Sequence, residues 1–224
     1  LKNYGGAATI DYDVNDNVAV KSITAYREIH WQTGTDLDGS TLNFLHTSFD
    51  SNQYQFSQEL QLNGSALDKR LKYILGAYYF KEAGDLHDYV TFAEGLLQVD
   101  GPNELKTTNF AFFGQIDFDV TEKLSISLGG RYTRENKEFE GFQADNNGLT
   151  YKILSFLGVP GCENIATSIS EACRIAAGFP NPGEPLRLYI AGVQKKKFSN
   201  FSPKLGVQYK PNDDILTYAS FSKG

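Results

Sequence analysis

Apolar and polar positions alternate along several long stretches of this chain, and the clearest of them covers residues 107–138. The first arm of this stretch carries its apolar side chains on one parity, at Phe110, Phe112, Ile116, Phe118 and Val120. After a short turn at residues 121–123, the second arm repeats the pattern with Leu124, Ile126, Leu128 and Tyr132. Because successive side chains of a strand point to opposite faces, the pattern predicts a hairpin of two strands, each with one apolar face.

The same unit recurs through the chain. Further alternating arms cover residues 7–14, 53–62, 71–82, 198–209 and 215–222, and another arm covers residues 18–33, where Lys21 and Arg27 share the parity of Ile23 and Trp31 and leave its facing open. Short turns are predicted near residues 16, 66, 122 and 212, and longer connections near residues 42, 95 and 168. The sequence therefore predicts an all-β protein with about eight antiparallel strands in four hairpins.

The regular alternation of short and long connections makes the two ends of the predicted sheet different. Outer-membrane β-barrels have this arrangement, with short periplasmic turns and long extracellular loops. The arms are also longer than the five or six residues usual in soluble sheets, and they suit the roughly 9–11 residues of a membrane-spanning strand. A lipocalin-like barrel or a β-sandwich would show the same alternation, but with connections of less regular length. An antiparallel transmembrane β-barrel is therefore preferred.

Composition narrows the classes of protein further. Hydrophobic residues make up 41% of the chain and the mean hydropathy is −0.37, which excludes a helical membrane protein. The longest apolar run, residues 73–80, is far shorter than the roughly 18 residues of a spanning helix. The net charge is −6, so nucleic acid is not expected as a partner. Outer-membrane lipid is expected as a partner because the predicted barrel spans that membrane.

The two cysteines, Cys162 and Cys173, lie in the longest predicted connection, residues 139–197. They are too far apart for a CxxC metal or redox pair, and we expect them to form a disulfide in an oxidising compartment. The same connection contains one predicted helix, within residues 164–177. The disulfide would bracket most of this helix.

Polar side chains occupy the second face of the predicted strands. In a barrel this face lines the lumen, so we expect lumen positions for Gln55, Ser57, Glu59, Gln115, Asp117, Asp119, Arg131 and Lys204. Ser57 and Ser202 lack a His/Asp partner at a suggestive spacing, and the three histidines are scattered over separate segments. No catalytic residue, metal site or cofactor is therefore expected. On the apolar face, an aromatic girdle at the membrane interfaces is expected from Tyr54, Tyr73, Tyr132 and Tyr209.

Several short motifs lie on the predicted strands, namely Phe56-Ser57-Gln58-Glu59-Leu60, Phe112-Phe113-Gly114-Gln115, Gly129-Gly130-Arg131-Tyr132-Thr133, Ser202-Pro203-Lys204-Leu205-Gly206 and Tyr218-Ala219-Ser220-Phe221-Ser222. Taken in this order, they resemble the barrel of TonB-dependent outer-membrane receptors. The resemblance implies a bacterial outer-membrane receptor with a barrel of about 22 strands, plugged by an N-terminal domain. Such a receptor takes up a scarce nutrient or metal chelate, such as a ferric siderophore, using energy passed on by TonB.

The chain departs from that pattern because only about eight strands are present, with neither a plug domain nor a terminal aromatic strand. We therefore expect residues 1–224 to be an internal part of the receptor barrel domain. Ligand specificity would lie in the connections 34–50, 84–106 and 139–197, and the identity of the ligand is not readable from them. The alternative is a complete eight-stranded outer-membrane barrel with a structural, adhesive or enzymatic role. That alternative requires the first and last strands to pair with each other.

Overall fold

The computed structural model describes residues 1–42, 44–145, 149–162, 173, 186–187, 192–212 and 214–223. These described residues contain eight long strands, two short strands and one short helix with stated bounds. In chain order these are β1 (Lys2–Asn15), β2 (Val18–Asp36), β3 (Leu45–Ala66), β4 (Leu71–Phe92), β5 (Leu97–Asp119), β6 (Leu124–Gly141), β7 (Ala144–Asp145), α1 (Leu149–Phe156), β8 (Leu186–Arg187), β9 (Gln194–Asn212) and β10 (Ile215–Ser222).

The strands form one antiparallel meander in the order β1-β2-β3-β4-β5-β6-β9-β10. The short strand β7 pairs with β5 in the same register as β6, and β8 pairs with β7 beside this path. Within the described part of the chain β1 and β10 do not pair with each other, so the sheet is open. The pairing that a closed eight-stranded barrel requires is therefore not found, and the all-β antiparallel prediction is confirmed.

The hydrogen-bond register collects the apolar side chains on one face of the sheet, here called the apolar face. Neighbouring strands align segments of nine residues on this face, at 71–79 with 110–118 and at 124–132 with 201–209. A fifth segment, residues 54–62 of β3, lies beside them with a shifted register. Their length matches a tilted strand that spans a bilayer.

Large side chains on the apolar face are exposed rather than packed into a core. Phe112 is 66% exposed and Leu128 is 55% exposed. The buried apolar residues of the described chain are small, namely Ala83, Val99, Ala111 and Ala144 together with the two cysteines. A soluble sandwich buries one face of each sheet against another layer. This sheet instead presents a continuous apolar face of the kind that lipid covers.

Two of the three long predicted connections are much shorter in the structure, and these predictions were wrong. The connection predicted at 34–50 contains only residues 37–44, and the one at 84–106 contains only residues 93–96. The remaining residues continue β2 to β5 as paired strands well beyond the apolar segments. Both faces of these extensions are mostly polar, so the alternation that identifies a strand is lost there.

The helix predicted within residues 164–177 lies outside the described residues, apart from Cys173. The described helix, α1, precedes it and was not predicted. Among the described residues, no helix has both the length and the apolar character needed to cross a membrane.

Candidate functional site

The face opposite the apolar face, here called the polar face, carries all eight residues that the sequence grouped as lumen positions. Gln55, Ser57 and Glu59 share its parity on β3, and Gln115, Asp117 and Asp119 share it on β5. Arg131 on β6 and Lys204 on β9 complete the set. The structure thus brings these side chains to one surface, and hydrogen bonds connect several of them.

The largest connected group on the polar face crosses β5, β6 and β9. Gln115 donates from Nε2 to both carboxylate oxygens of Asp117, at 2.9 and 3.1 Å. The Ser127 hydroxyl donates to the same carboxylate, and Lys204 Nζ donates to Gln115 Oε1 at 3.2 Å. One donor from its own strand and one from the neighbouring β6 thus hold Asp117 in place, and Lys204 of β9 holds Gln115. The sequence grouped these residues by parity, but only the register defines their partners.

An aromatic cluster interrupts the polar face beside this network. Phe113 lies over Gly76 of the neighbouring strand, where a Cβ atom would come within 2.1 Å of the Phe113 ring. The Arg131 guanidinium lies 5.6 Å from the centre of the Phe113 ring and 5.5 Å from that of Tyr78. A guanidinium over aromatic faces gains cation–π stabilisation. Phe113 therefore fits the polar face, because Gly76 makes room for its ring and Arg131 covers it.

Beyond the apolar segments, the strand extensions of β2 to β5 line an open cavity of about 640 Å³. Its lining includes Gln32 and Asp50 from the β2–β3 hairpin and His87, Tyr89 and Asp100 from the β4–β5 hairpin. Gln32 donates to Asp50 at 2.7 Å, and His87 contacts Asp100. These polar and aromatic groups can accept and donate hydrogen bonds to a small polar ligand.

Each of the three histidines lies beside a carboxylate on these extensions. His30 pairs with Asp50 at 3.7 Å, His46 with Asp36 at 3.6 Å, and His87 with Asp100. The sequence did not reveal these pairs because the partners come from opposite strands of a hairpin. Knowledge of the register would have found them, because it opposes Asp36 to His46 and places Asp50 and Asp100 two residues from the direct partners of His30 and His87.

Asp36, Asp38 and His46 bring their possible ligand atoms within 4.8 Å of one another, an arrangement that the histidine spacing did not predict. The carboxylates already accept backbone N–H groups: Asp36 Oδ1 from Asp38 and Gly39, and Asp38 from Ser40 and Leu45. The cluster is therefore explained as a capped turn between β2 and β3.

An ion pair between β6 and β9 and the disulfide lie beyond the apolar segments. Lys195 pairs with Glu138 at 2.8 Å, and this hydrogen bond lowers the pKa of Glu138. Cys162 and Cys173 are joined by a disulfide with a Cα–Cα distance of 4.6 Å, and both are fully buried. The disulfide lies in the long segment between β6 and β9, which the sequence grouped among the ligand-binding connections.

An open antiparallel sheet with aligned apolar segments, a networked polar face and long strand extensions is characteristic of the wall of an outer-membrane β-barrel. Comparison with known proteins identifies the family. The family model of the TonB dependent receptor-like β-barrel matches residues 2–224, and the chain belongs to this family.

Among the solved structures with a similar fold are uptake receptors and transporters. The chain is similar to the ferric yersiniabactin uptake receptor FyuA from Yersinia pestis, with 12% identity and a TM-score of 0.69 over 97% of this chain and 27% of that one. The siderophore receptor PiuA from Acinetobacter baumannii matches with 15% identity and a TM-score of 0.62, over 98% and 32% of the two chains. The copper transporter OprC matches with 10% identity and a TM-score of 0.64, over 98% and 31%. The chain thus spans between a quarter and a third of the length of these structures.

Proposed function

We propose that this chain is part of the barrel wall of a TonB-dependent receptor that takes up a scarce nutrient, such as a ferric siderophore, across the bacterial outer membrane. The observation that carries the proposal is the aligned set of nine-residue apolar segments on one face, opposite a hydrogen-bonded polar face. Membership of the receptor barrel family favours transport over catalysis.

In this proposal the apolar face contacts lipid and the polar face lines the lumen. Gln55, Ser57, Glu59 and the network around Asp117 would then face the plug domain and the passing cargo. The girdle tyrosines Tyr54, Tyr73, Tyr132 and Tyr209, which share the apolar face, would lie at the membrane interfaces. TonB would act through a plug domain elsewhere in the receptor.

Ligand specificity is assigned to the strand extensions, the connections 37–44 and 93–96, and the segment between β6 and β9. The matched receptors named for ferric yersiniabactin, siderophores and copper support a metal or metal chelate as the cargo class. The cavity lined by Gln32, Asp50, His87, Tyr89 and Asp100 shares the parity of the apolar face, so in this proposal it opens outside the lumen and does not line the path of the cargo.

The test is uptake by the source bacterium after deletion of the gene that encodes this chain. Accumulation of a panel of labelled ferric siderophores, copper and sugars is measured in the wild type, the deletion strain and the complemented strain. We expect one member of the panel to lose its TonB-dependent uptake in the deletion strain and to regain it on complementation. Unchanged uptake of every metal compound and sugar would contradict a nutrient-receptor role.

A further inference from the structure

A hollow lies on the polar face just beyond the spanning segments of β3, β4 and β5. Gly84 forms its floor, because this position has no side chain between its register partners Gln53 and Leu105. The hollow has a volume of about 340 Å³, within the range of sites that hold small organic ligands. Four acidic residues contribute to its lining, of which Glu82 and Asp88 share the polar face with Gly84, whereas Asp85 and Glu104 have the opposite parity.

Amide donors fix the Glu82 and Asp88 carboxylates without neutralising them. Glu82 Oε1 accepts from the side chains of Gln53 and Gln55, the latter at 2.8 Å. Asp88 accepts from the side chain of Asn103 at 3.2 Å and from that of Gln143. Within the described part of the chain neither carboxylate has a lysine or arginine partner. The hollow therefore carries uncompensated negative charge.

A third acceptor in the same hollow lacks a donor. Asn103 is only 9% exposed and lines the hollow, and its Oδ1 atom is buried without a hydrogen-bond partner in the structure. Buried polar atoms in native proteins almost always have a partner. A ligand that donates a hydrogen bond would therefore satisfy Asn103 Oδ1.

Apolar side chains form the remaining wall of the hollow. Leu86, Leu105 and Phe139 line it on the β4, β5 and β6 side, next to the carboxylates. A compact site with two anions, an unpartnered acceptor and an apolar wall suits a cation that carries several N–H donors on a short hydrocarbon stem.

We propose that this hollow binds an alkylguanidinium or alkylammonium group. The charged head donates hydrogen bonds to Glu82, Asp88 and Asn103 Oδ1, and the hydrocarbon stem packs against Leu105 and Phe139. The inference goes beyond the proposed uptake function and does not depend on the cargo. The cation is supplied either by a solute that enters the receptor or by a lysine or arginine of another segment of the same receptor.

The test uses the whole receptor that contains this chain, purified in detergent, with n-butylguanidinium as the probe and the neutral isostere n-butylurea as its comparison. The variant Glu82→Gln/Asp88→Asn removes both charges and keeps the shape of the side chains. Glu28→Gln is the matched control, since Glu28 lies on the opposite face and bonds Tyr26. Binding is followed by ligand-observed NMR, and folding by the thermal midpoint.

For a solute site, we expect the wild type to bind butylguanidinium at least ten-fold more tightly than butylurea. The double variant should lose this preference and Glu28→Gln should retain it. For a site already occupied by the receptor's own cation, the free probe does not bind, and the double variant lowers the thermal midpoint by several degrees while Glu28→Gln does not. A preference that survives in the double variant overturns the proposal. So does a wild type without preference whose thermal midpoint is unaffected by the double variant.

Discussion

At the scale of single residues, Gly84 is the glycine of the β3–β4 pair where an added side chain would meet backbone at less than 3 Å, whereas at Gly64 and Gly76 it would meet aromatic side chains. A Cβ atom at Gly84 would lie 2.7 Å from the carbonyl oxygen of Asn52, a backbone atom that cannot move without disturbing the strand pair. We expect Gly84→Ala to lower the free energy of unfolding by about 1–3 kcal/mol, the usual cost of overpacking. Urea unfolding of the receptor in detergent measures this change.

Gly6→Ala is the matched control for this prediction. Gly6 lies on β1, and a Cβ atom there would meet no other atom within 4 Å. The control should change the stability by no more than about 0.5 kcal/mol. Equal effects of the two substitutions would show that the close approach of Asn52 to Gly84 is not what limits the position.

Asp38 provides a pH-dependent contact in the connection between β2 and β3. Hydrogen bonding by Ser40, and then by the Leu45 N–H at 2.7 Å, lowers the pKa of Asp38 from 3.8 to about 2. A carboxyl group with a lowered folded-state pKa stabilises the fold above its unfolded pKa, and this contribution is lost as the pH falls through the folded pKa. We therefore expect the connection to loosen between about pH 4 and pH 2.

Amide exchange at Leu45, corrected for its intrinsic pH dependence, measures this loosening. Asp38→Asn should exchange faster than the wild type at pH 5 and show little further change on acidification, because its side chain does not titrate. Wild-type protection at Leu45 that stays constant from pH 5 to pH 2 would contradict the role of Asp38.

At the scale of elements, the hairpin turn between β4 and β5 is formed by residues poorly suited to it. Ala93 and Glu94 have φ angles of 49° and 56°, and the Gly95 N–H bonds the Phe92 carbonyl at 3.2 Å. Two central residues with positive φ define a type I′ turn, which favours Asn-Gly. Replacing Ala93-Glu94 with Asn-Gly should raise the free energy of unfolding by about 1 kcal/mol or more.

Urea unfolding tests the prediction, with Asn-Gly at Thr121-Glu122 as the control. Those residues, in the turn between β5 and β6, are not among the described residues with positive φ. The control exchange should therefore give no stabilisation. Equal stabilisation by both exchanges would mean that the left-handed backbone at Ala93 and Glu94 is not the cause.

The sequence predicted strands well where the two faces differ and poorly where they do not. The predicted start of β4 at Leu71 and that of β6 at Leu124 match the structure, because apolar and polar positions alternate from those residues onward. The continuation of β4 to Phe92 was missed because polar residues occupy both of its faces there, with Asp85 and His87 on one face and Asp88 on the other. Backbone pairing maintains the strand there, and side-chain periodicity does not report backbone pairing.

At the scale of the whole molecule, the sequence predicted which face the candidate site residues share but not which residues contact each other. Parity along each strand was enough to group Gln115, Asp117 and Lys204 on one face. Parity could not predict that Lys204 bonds Gln115, or that Phe113 covers Gly76, because those contacts depend on the register between strands. The register follows from turn geometry and from pairing across the entire sheet.

The arrangement of the whole sheet predicts opposite tolerance of charge at adjacent positions. Leu128 lies at the centre of the apolar segment 124–132 and is 55% exposed, whereas Ser127 lies on the polar face and donates to Asp117. If lipid covers the apolar face, Leu128→Arg should cost about 2–4 kcal/mol in a bilayer, because a charge at the midplane loses its hydration. Ser127→Arg should cost no more than about 1 kcal/mol, since its guanidinium lies near the Asp117 carboxylate. Unfolding of the receptor in liposomes measures both variants, and equal costs would exclude lipid as the medium that covers the apolar face.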